Sequence, residues 1–279
     1  MGQRFHLIAP KKRSRYDIMT DVLLWGALGI VAGWLMNTAS DAWPVDKPFG
    51  APRCPQCGTA RTLAQWSGLL AYIVRQQRCR NCGRLIALRW PLVEILSTTA
   101  CVVLFQMLGP TPLLAIVTLY TLILLLICIM DFEHRLILNR VIYPAIAAAF
   151  ILSFVNPRMT PVNALLGGAL GFVLTGLIYL GGKAFVMLQA RRGRIIDEVA
   201  FGEGDVTLML FIGLITGVPE IISALVLGIL IGGVAALGII VYGATQGQTK
   251  LYVPYAYGPY LALAGWIVLM QGALTVPPA

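Results

Sequence analysis

Long apolar runs separated by short polar segments are the feature that most limits the folds open to this chain. A helix needs about 20 apolar residues to cross a bilayer, with shorter helices possible at the edges of a bundle. We count about eight such runs, at residues 20–37, 91–108, 112–130, 141–156, 162–188, 205–218, 220–243 and 259–275. The sequence therefore predicts an all-α fold, a polytopic membrane helix bundle of about eight transmembrane helices.

The sixth and seventh runs are separated only by residues 217–220, which read as a tight turn. Because the sixth run is also short, a count of seven spans stays open. The eight-span interpretation puts both chain ends on the same side of the membrane.

The charge content supports a membrane protein and argues against a nucleic-acid partner. Only 12% of the residues are charged and 58% are apolar, whereas an average soluble domain is about 25% charged. The net charge of +9 comes from Lys and Arg residues that lie almost entirely between the apolar runs. That distribution is typical of cytoplasmic loops under the positive-inside rule. We therefore expect membrane lipid around the chain and no nucleic acid.

One polar segment, residues 38–90, interrupts the apolar pattern and divides the chain into 1–37, 38–90 and 91–279. Its many arginines place it in the cytoplasm, and the short basic segments 131–140 and 189–204 then fall on the same side. The basic N-terminal tail conflicts with this topology, so its side stays open. A segment of about fifty residues is too small to fold on a core of its own and usually needs a staple such as a metal.

Two cysteine pairs in this segment predict such a metal site. They are Cys54-Pro-Gln-Cys57 and Cys79-Arg-Asn-Cys82. Two knuckles of this kind close a tetrahedral shell of four thiolates, which holds structural Zn²⁺ with no open position for catalysis. The 21 residues between the pairs slightly exceed the usual zinc-ribbon interval. Free thiols or a redox pair are the alternatives.

Two aspartates stand at the edges of apolar runs. Asp131 ends one run and Asp205 begins another, and the predicted topology brings both to the cytoplasmic face. Acids at the membrane edge are functional by default, and two neighbouring carboxyls that share a proton can activate water and protonate a carbonyl. From chemistry alone, a structural interpretation with Asp205 as a helix N-cap is favoured, and an ion relay in a transporter is a further alternative. Glu94, Glu133 and Glu203 compete for any catalytic role.

Five motifs in order resemble the type IV prepilin peptidase family, membrane aspartic proteases of the Gly-x-Gly-Asp kind. They are residues 33–37, the cysteine pairs followed by 89–94, then 131–139, 202–208 and 255–261. The resemblance covers roughly residues 25–275. It reverses the preference for a structural interpretation of the two aspartates.

The resemblance implies that Asp131 and Asp205 are the catalytic residues and that 91–279 is the peptidase domain. The implied reaction is cleavage of the basic leader of type IV prepilins or secretion-system pseudopilins, after a glycine, at the cytoplasmic face of the bacterial inner membrane. Many members of the family then methylate the new N-terminus with S-adenosylmethionine.

Three departures from the family pattern qualify this expectation. Leu138 stands where a proline is usual, and Thr207 stands where a lysine is usual. Residues 87–88 are Ala-Leu, where many bifunctional members have Gly-Lys, so methyl transfer stays open. The choice of pilin substrate and the oligomeric state do not follow from the sequence.

Overall fold

The computed structural model describes residues 15–45, 50–192, 201–246 and 256–275. These residues form helices and turns with no β-strand, only two isolated bridges, at Arg53–Ala60 and Arg78–Leu85. The prediction of an all-α fold is therefore confirmed over this part of the chain. The basic tail, part of the basic segment 189–204, and Tyr255 lie outside the described residues.

The described residues contain one short α-helix and eight longer ones, which coincide with the eight apolar runs. In chain order they are α1 (Arg15–Ala42), α2 (Gly68–Ile73), α3 (Arg89–Leu108), α4 (Pro112–His134), α5 (Asn139–Ser153), α6 (Pro161–Arg191), α7 (Glu203–Thr216), α8 (Val218–Thr245) and α9 (Gly258–Leu274). Short 3₁₀ turns lie at Trp43–Val45 and Leu63–Gln65.

Local sequence explains where several of these helices begin and end. Thr111 caps α4 by accepting a hydrogen bond from the Leu114 amide, and Pro112 occupies the first helical position, where no amide is needed. Gly217 alone separates α7 from α8, with φ of 96°, a left-handed conformation that favours glycine. A sharp break was predicted over residues 217–220, and the structure shortens it to Gly217, because residues 218–220 already belong to α8.

Five helices of the described chain are long and apolar enough to cross a membrane: α1, α3, α4, α6 and α8. The remaining helices α5, α7 and α9 have 14 to 17 residues each. The 14 residues of α7 rise only about 21 Å, whereas the hydrocarbon core of a bilayer is about 30 Å thick. The structure thus fits a multi-pass membrane protein. The count of eight full spans stays a prediction.

The short helix α7 lies at the centre of the bundle. It packs against α5, α6, α8 and α9, and ten of its 14 residues are buried. A β-carbon on Gly167 of α6 would lie 2.5 Å from the carbonyl oxygen of Gly213, so these two helices cross with their backbones almost touching. Protein, not lipid, surrounds α7, which explains how so short a helix fits the fold.

Candidate active site and metal centre

Asp131 lies in the last turn of α4 and is buried, with 6% of its surface exposed. The backbone amide of Gly258, the first residue of α9, hydrogen-bonds to its carboxylate. A β-carbon on Gly258 would lie 2.5 Å from Asp131 Oδ2. The carboxylate therefore sits directly against the start of α9, where unpaired backbone amides favour negative charge.

Asp205 is the third residue of α7 and is also buried, at 8% exposure. Its Oδ2 accepts a hydrogen bond of 2.8 Å from the Gly202 amide. The alternative in which Asp205 is the N-cap of this helix is wrong, because Gly202 is the N-cap. The side chain instead reaches back from the first turn, as the acidic partner of a capping box does.

The structure brings both acids to one end of the bundle. Ile137 packs against the starts of two helices at once: a β-carbon on Gly204 would lie 3.0 Å from its Cβ, and one on Gly258 would lie 3.3 Å from its Cδ1. The two carboxylates are close enough to interact electrostatically. Two buried carboxylates that lie this close together repel each other unless the pair shares a proton.

The other acids near this end have partners of their own. Glu133 forms an ion pair with Arg89, which also binds Asp41 with a nitrogen–oxygen distance of 2.5 Å. The hydroxyl of Tyr179 donates to Glu203 at 2.7 Å. These contacts tie Glu133 and Glu203 to structural neighbours, and neither is buried.

The third competing acid, Glu94 of α3, is buried and caps α2. Its carboxylate accepts hydrogen bonds from the Ser67 hydroxyl at 2.6 Å and from the amides of Gly68 at 2.8 Å and Leu69 at 2.9 Å. Glu94 therefore anchors the cysteine-rich segment to the membrane bundle. Sequence reasoning missed this role, and only the position of Glu94 in the motif 89–94 gave a signal.

Aromatic contacts dock the same segment on the bundle. Trp66 stacks on Trp34 of α1 with ring centroids 5.7 Å apart. The Arg61 guanidinium lies 4.1 Å from the centre of the Trp90 ring, at the start of α3. The cysteine-rich segment thus lies on α1 and α3. Arg89, the first residue of α3, connects it to the end of α4 through the ion pair with Glu133.

The sulfur atoms of Cys54, Cys57, Cys79 and Cys82 all lie within 4.8 Å of one another. The Cys54–Cys82 and Cys57–Cys79 sulfurs are each 3.6 Å apart. Four Zn–S bonds of about 2.3 Å in a tetrahedron put the sulfurs about 3.8 Å apart. The cluster therefore has the donor set and the size that a metal ion with four thiolate ligands requires.

Both cysteine pairs use the same turn. The amide of Gly58 donates to the Cys54 carbonyl at 2.9 Å, and the amide of Gly83 donates to the Cys79 carbonyl at 3.0 Å. Both glycines have positive φ, 70° and 72°, a conformation that other residues adopt only with strain. The repeated turn points both thiols of each pair toward the cluster.

The thiols of the cluster differ in acidity. Hydrogen bonding with Thr59 lowers the pKa of Cys57 to about 6. Despite a hydrogen bond from the Arg84 backbone, burial and the neighbouring thiols raise the pKa of Cys82 to about 12. Four adjacent thiolates repel one another, so their full deprotonation needs a cation among them.

Two family models match the chain. The type IV leader peptidase family matches residues 118–237, which include both aspartates. The bacterial peptidase A24 N-terminal domain matches residues 27–108, which include all four clustered cysteines.

Curated relatives agree with these matches. The prepilin leader peptidase/N-methyltransferase of Aeromonas hydrophila is 28% identical over 233 residues, 82% of this chain and 76% of the relative. That of Aeromonas salmonicida (strain A449) is 28% identical over 219 residues, 78% and 70% of the two chains. That of Bacillus subtilis (strain 168) is 25% identical over 252 residues, 88% and 92%. No solved structure matches the chain.

Proposed function

The chain belongs to the type IV leader peptidase family, and from this premise we propose that it is an aspartic endopeptidase of the bacterial inner membrane. Its substrates are type IV prepilins or pseudopilins, whose basic leader it removes by cutting after a glycine. The observation that carries the proposal is the pair of buried carboxyls, Asp131 and Asp205, at one end of the bundle.

The two aspartates divide the chemistry between them. The ionised carboxylate takes a proton from water as the water oxygen bonds to the scissile carbonyl carbon, and the neutral carboxyl gives its proton to the carbonyl oxygen. Collapse of this tetrahedral species breaks the C–N bond: the carboxyl that took the proton from water gives it to the departing amine, and a hydroxyl of the tetrahedral species returns a proton to the other carboxylate. The amides of Gly258 and Gly202 fix one oxygen of each carboxyl, which keeps the pair oriented.

A contact between Glu133 and the basic segment 38–90 supports the proposed placement of the active site at the cytoplasmic face. Arg89, where that segment meets α3, forms an ion pair with Glu133, two residues after Asp131. The aspartates and the cysteine-rich segment thus lie at the same end of the bundle. A segment this rich in arginine belongs in the cytoplasm, and the acids follow it there.

Cys54, Cys57, Cys79 and Cys82 would hold a structural Zn²⁺. The ion would cross-link two turns of a segment that has little core of its own. With four thiolate ligands it has no open position, so it takes no part in the cleavage.

Methyl transfer is a second candidate activity, favoured by the names of the relatives, which pair the peptidase with an N-methyltransferase. It would require S-adenosylmethionine as the methyl donor. Ala87 and Leu88, in place of the usual Gly-Lys, are both exposed at the edge of the cysteine-rich segment. The test is to incubate the cleaved product and the protein with labelled S-adenosylmethionine and to measure label on the new N-terminus.

The test of the principal activity is to reconstitute the protein in liposomes with candidate prepilins and to map the product N-terminus by mass spectrometry. We expect a single cut after the last glycine of the leader. Absence of cleavage, together with proton or sodium flux through the same liposomes, would instead favour the ion-relay alternative.

A further inference from the structure

A concave apolar groove of about 560 Å³ lies between α3, α4 and α9. Its volume falls within the range of about 300–1,000 Å³ that ligand sites occupy. Leu104, Leu124 and Met270 on its floor are buried, whereas Leu96 and Leu263 on its rim are about half exposed. The groove therefore offers an open apolar channel along the bundle.

The groove runs lengthwise from the end of the bundle that holds the acids. Cys128, at its near end, precedes Asp131 by three residues on α4, and Ala262 follows Gly258 by four on α9. Residues three or four apart share one face of a helix. Asp131 and Gly258 therefore stand about one helical turn beyond the near end of the groove.

The groove is suited to an apolar helical segment. Leu96 and Met107 of α3 both line it, and the helix rises about 16 Å, or three turns, over the eleven residue steps from one to the other. Deep in the groove, the Trp266 indole donates to the Thr121 hydroxyl at 3.1 Å, so these two polar groups satisfy each other. Little in the lining would select a polar occupant.

We propose that this groove holds the apolar segment that follows the scissile bond of the prepilin and so presents that bond to Asp131 and Asp205. The inference rests on the proposed function. A substrate that changes from a basic leader to an apolar helix must place that change at the acids, and the groove begins there. The negative charge of the acid pair attracts a basic leader at this end, whereas it repels the phosphate of a lipid headgroup.

The first test places a photo-reactive benzophenone amino acid at Leu263, on the groove rim, in liposomes containing a full-length prepilin. The matched control carries it at Leu177, an exposed leucine of α6 outside the groove. We expect prepilin adducts from the Leu263 position and none from Leu177. Adducts with lipid alone, or equal prepilin adducts at both positions, would overturn the proposal.

The second test changes Val103, which lines the groove on α3, to Trp, and uses Leu177→Trp as the control. Two substrates are compared: the full prepilin, and a peptide with the leader, the scissile bond and only a few apolar residues. We expect Val103→Trp to lower kcat/KM on the full prepilin by on the order of tenfold, equivalent to about 1.4 kcal/mol, and to leave the peptide unaffected.

The two substrates also separate the inference from the proposed function. If the unaltered protein cuts neither substrate, the proposed function fails. If the unaltered protein cuts both, and Val103→Trp changes neither rate or changes both equally, only the groove proposal fails.

Discussion

The first residue of α9, Gly258, packs directly on the carboxylate of Asp131 and donates its backbone amide to it. This contact joins the last turn of α4 to the start of α9. Asp205 makes the corresponding contact with the Gly202 amide at the start of α7. Each carboxyl is thus fixed by one backbone amide, which substitutions other than proline leave in place.

A methyl group at Gly258 should therefore disturb catalysis. Its β-carbon would lie 2.5 Å from Asp131 Oδ2, so the carboxylate must move, and a misplacement of about 1 Å can lower the rate on the order of a hundredfold. We expect Gly258→Ala to lower kcat by about ten- to a hundredfold. The control is Gly233→Ala in α8, where a β-carbon meets nothing within 4 Å. Normal turnover by Gly258→Ala would show that the contact does not position the acid.

Asp131 and Asp205 should behave as one catalytic unit. We expect Asp131→Asn and Asp205→Asn each to abolish nearly all leader cleavage, and the double variant to be no worse than either, because residues that act together are not additive. Glu203→Gln is the matched control, since it removes an exposed carboxylate from the same turn as Asp205. Cleavage is measured by separation of leader and mature pilin. Substantial activity in either single variant would contradict the assignment of both aspartates as catalytic residues.

The sequence predicted the helices well because each apolar run has its own local signal. The third apolar run was predicted to end at residue 130, whereas the helix that it forms, α4, continues to His134. The helix ends at His134 because the next residue, Arg135, adopts the left-handed conformation, with φ of 52°, and its amide donates to the Asp131 carbonyl. Nothing in a hydrophobicity pattern indicates such an ending.

Contacts between residues distant in the chain could not be predicted in the same way. The cysteine cluster was predictable because two equal spacings define it. No regular spacing in the sequence indicates the contact of Gly258 with Asp131 or that of Glu94 with α2. Each depends on how separate helices pack. From the sequence, Glu94 was therefore a candidate for a catalytic role. Its three hydrogen bonds show that it has a structural role instead.

The metal site should contribute to stability more than to the chemical step. We expect about one zinc per chain, the stoichiometry of a single four-thiolate shell, and loss of that zinc in Cys54→Ser and Cys82→Ser. Because metal binding supplies folding free energy, both variants should unfold at lower temperature, while the remaining folded protein cleaves at a near-normal rate. The control is Cys101→Ala, which removes a thiol outside the cluster. Normal thermal stability in a zinc-free preparation would contradict this role.

The last prediction concerns Glu94, whose buried carboxylate binds one hydroxyl and two amides at the start of α2. Glu94→Gln keeps the size of the side chain but replaces one acceptor oxygen with an NH₂ group that faces donors. Leaving buried donors without an acceptor costs about 1–3 kcal/mol. We expect the cysteine-rich segment to detach from α3 and to become more sensitive to protease, with little change in the membrane helices.

Ser67→Ala, which removes only the capping hydroxyl, should cost about 1 kcal/mol. The order of protease sensitivity should therefore be Glu94→Gln, then Ser67→Ala, then the unaltered protein. Equal sensitivity of all three would show that Glu94 does not anchor the segment.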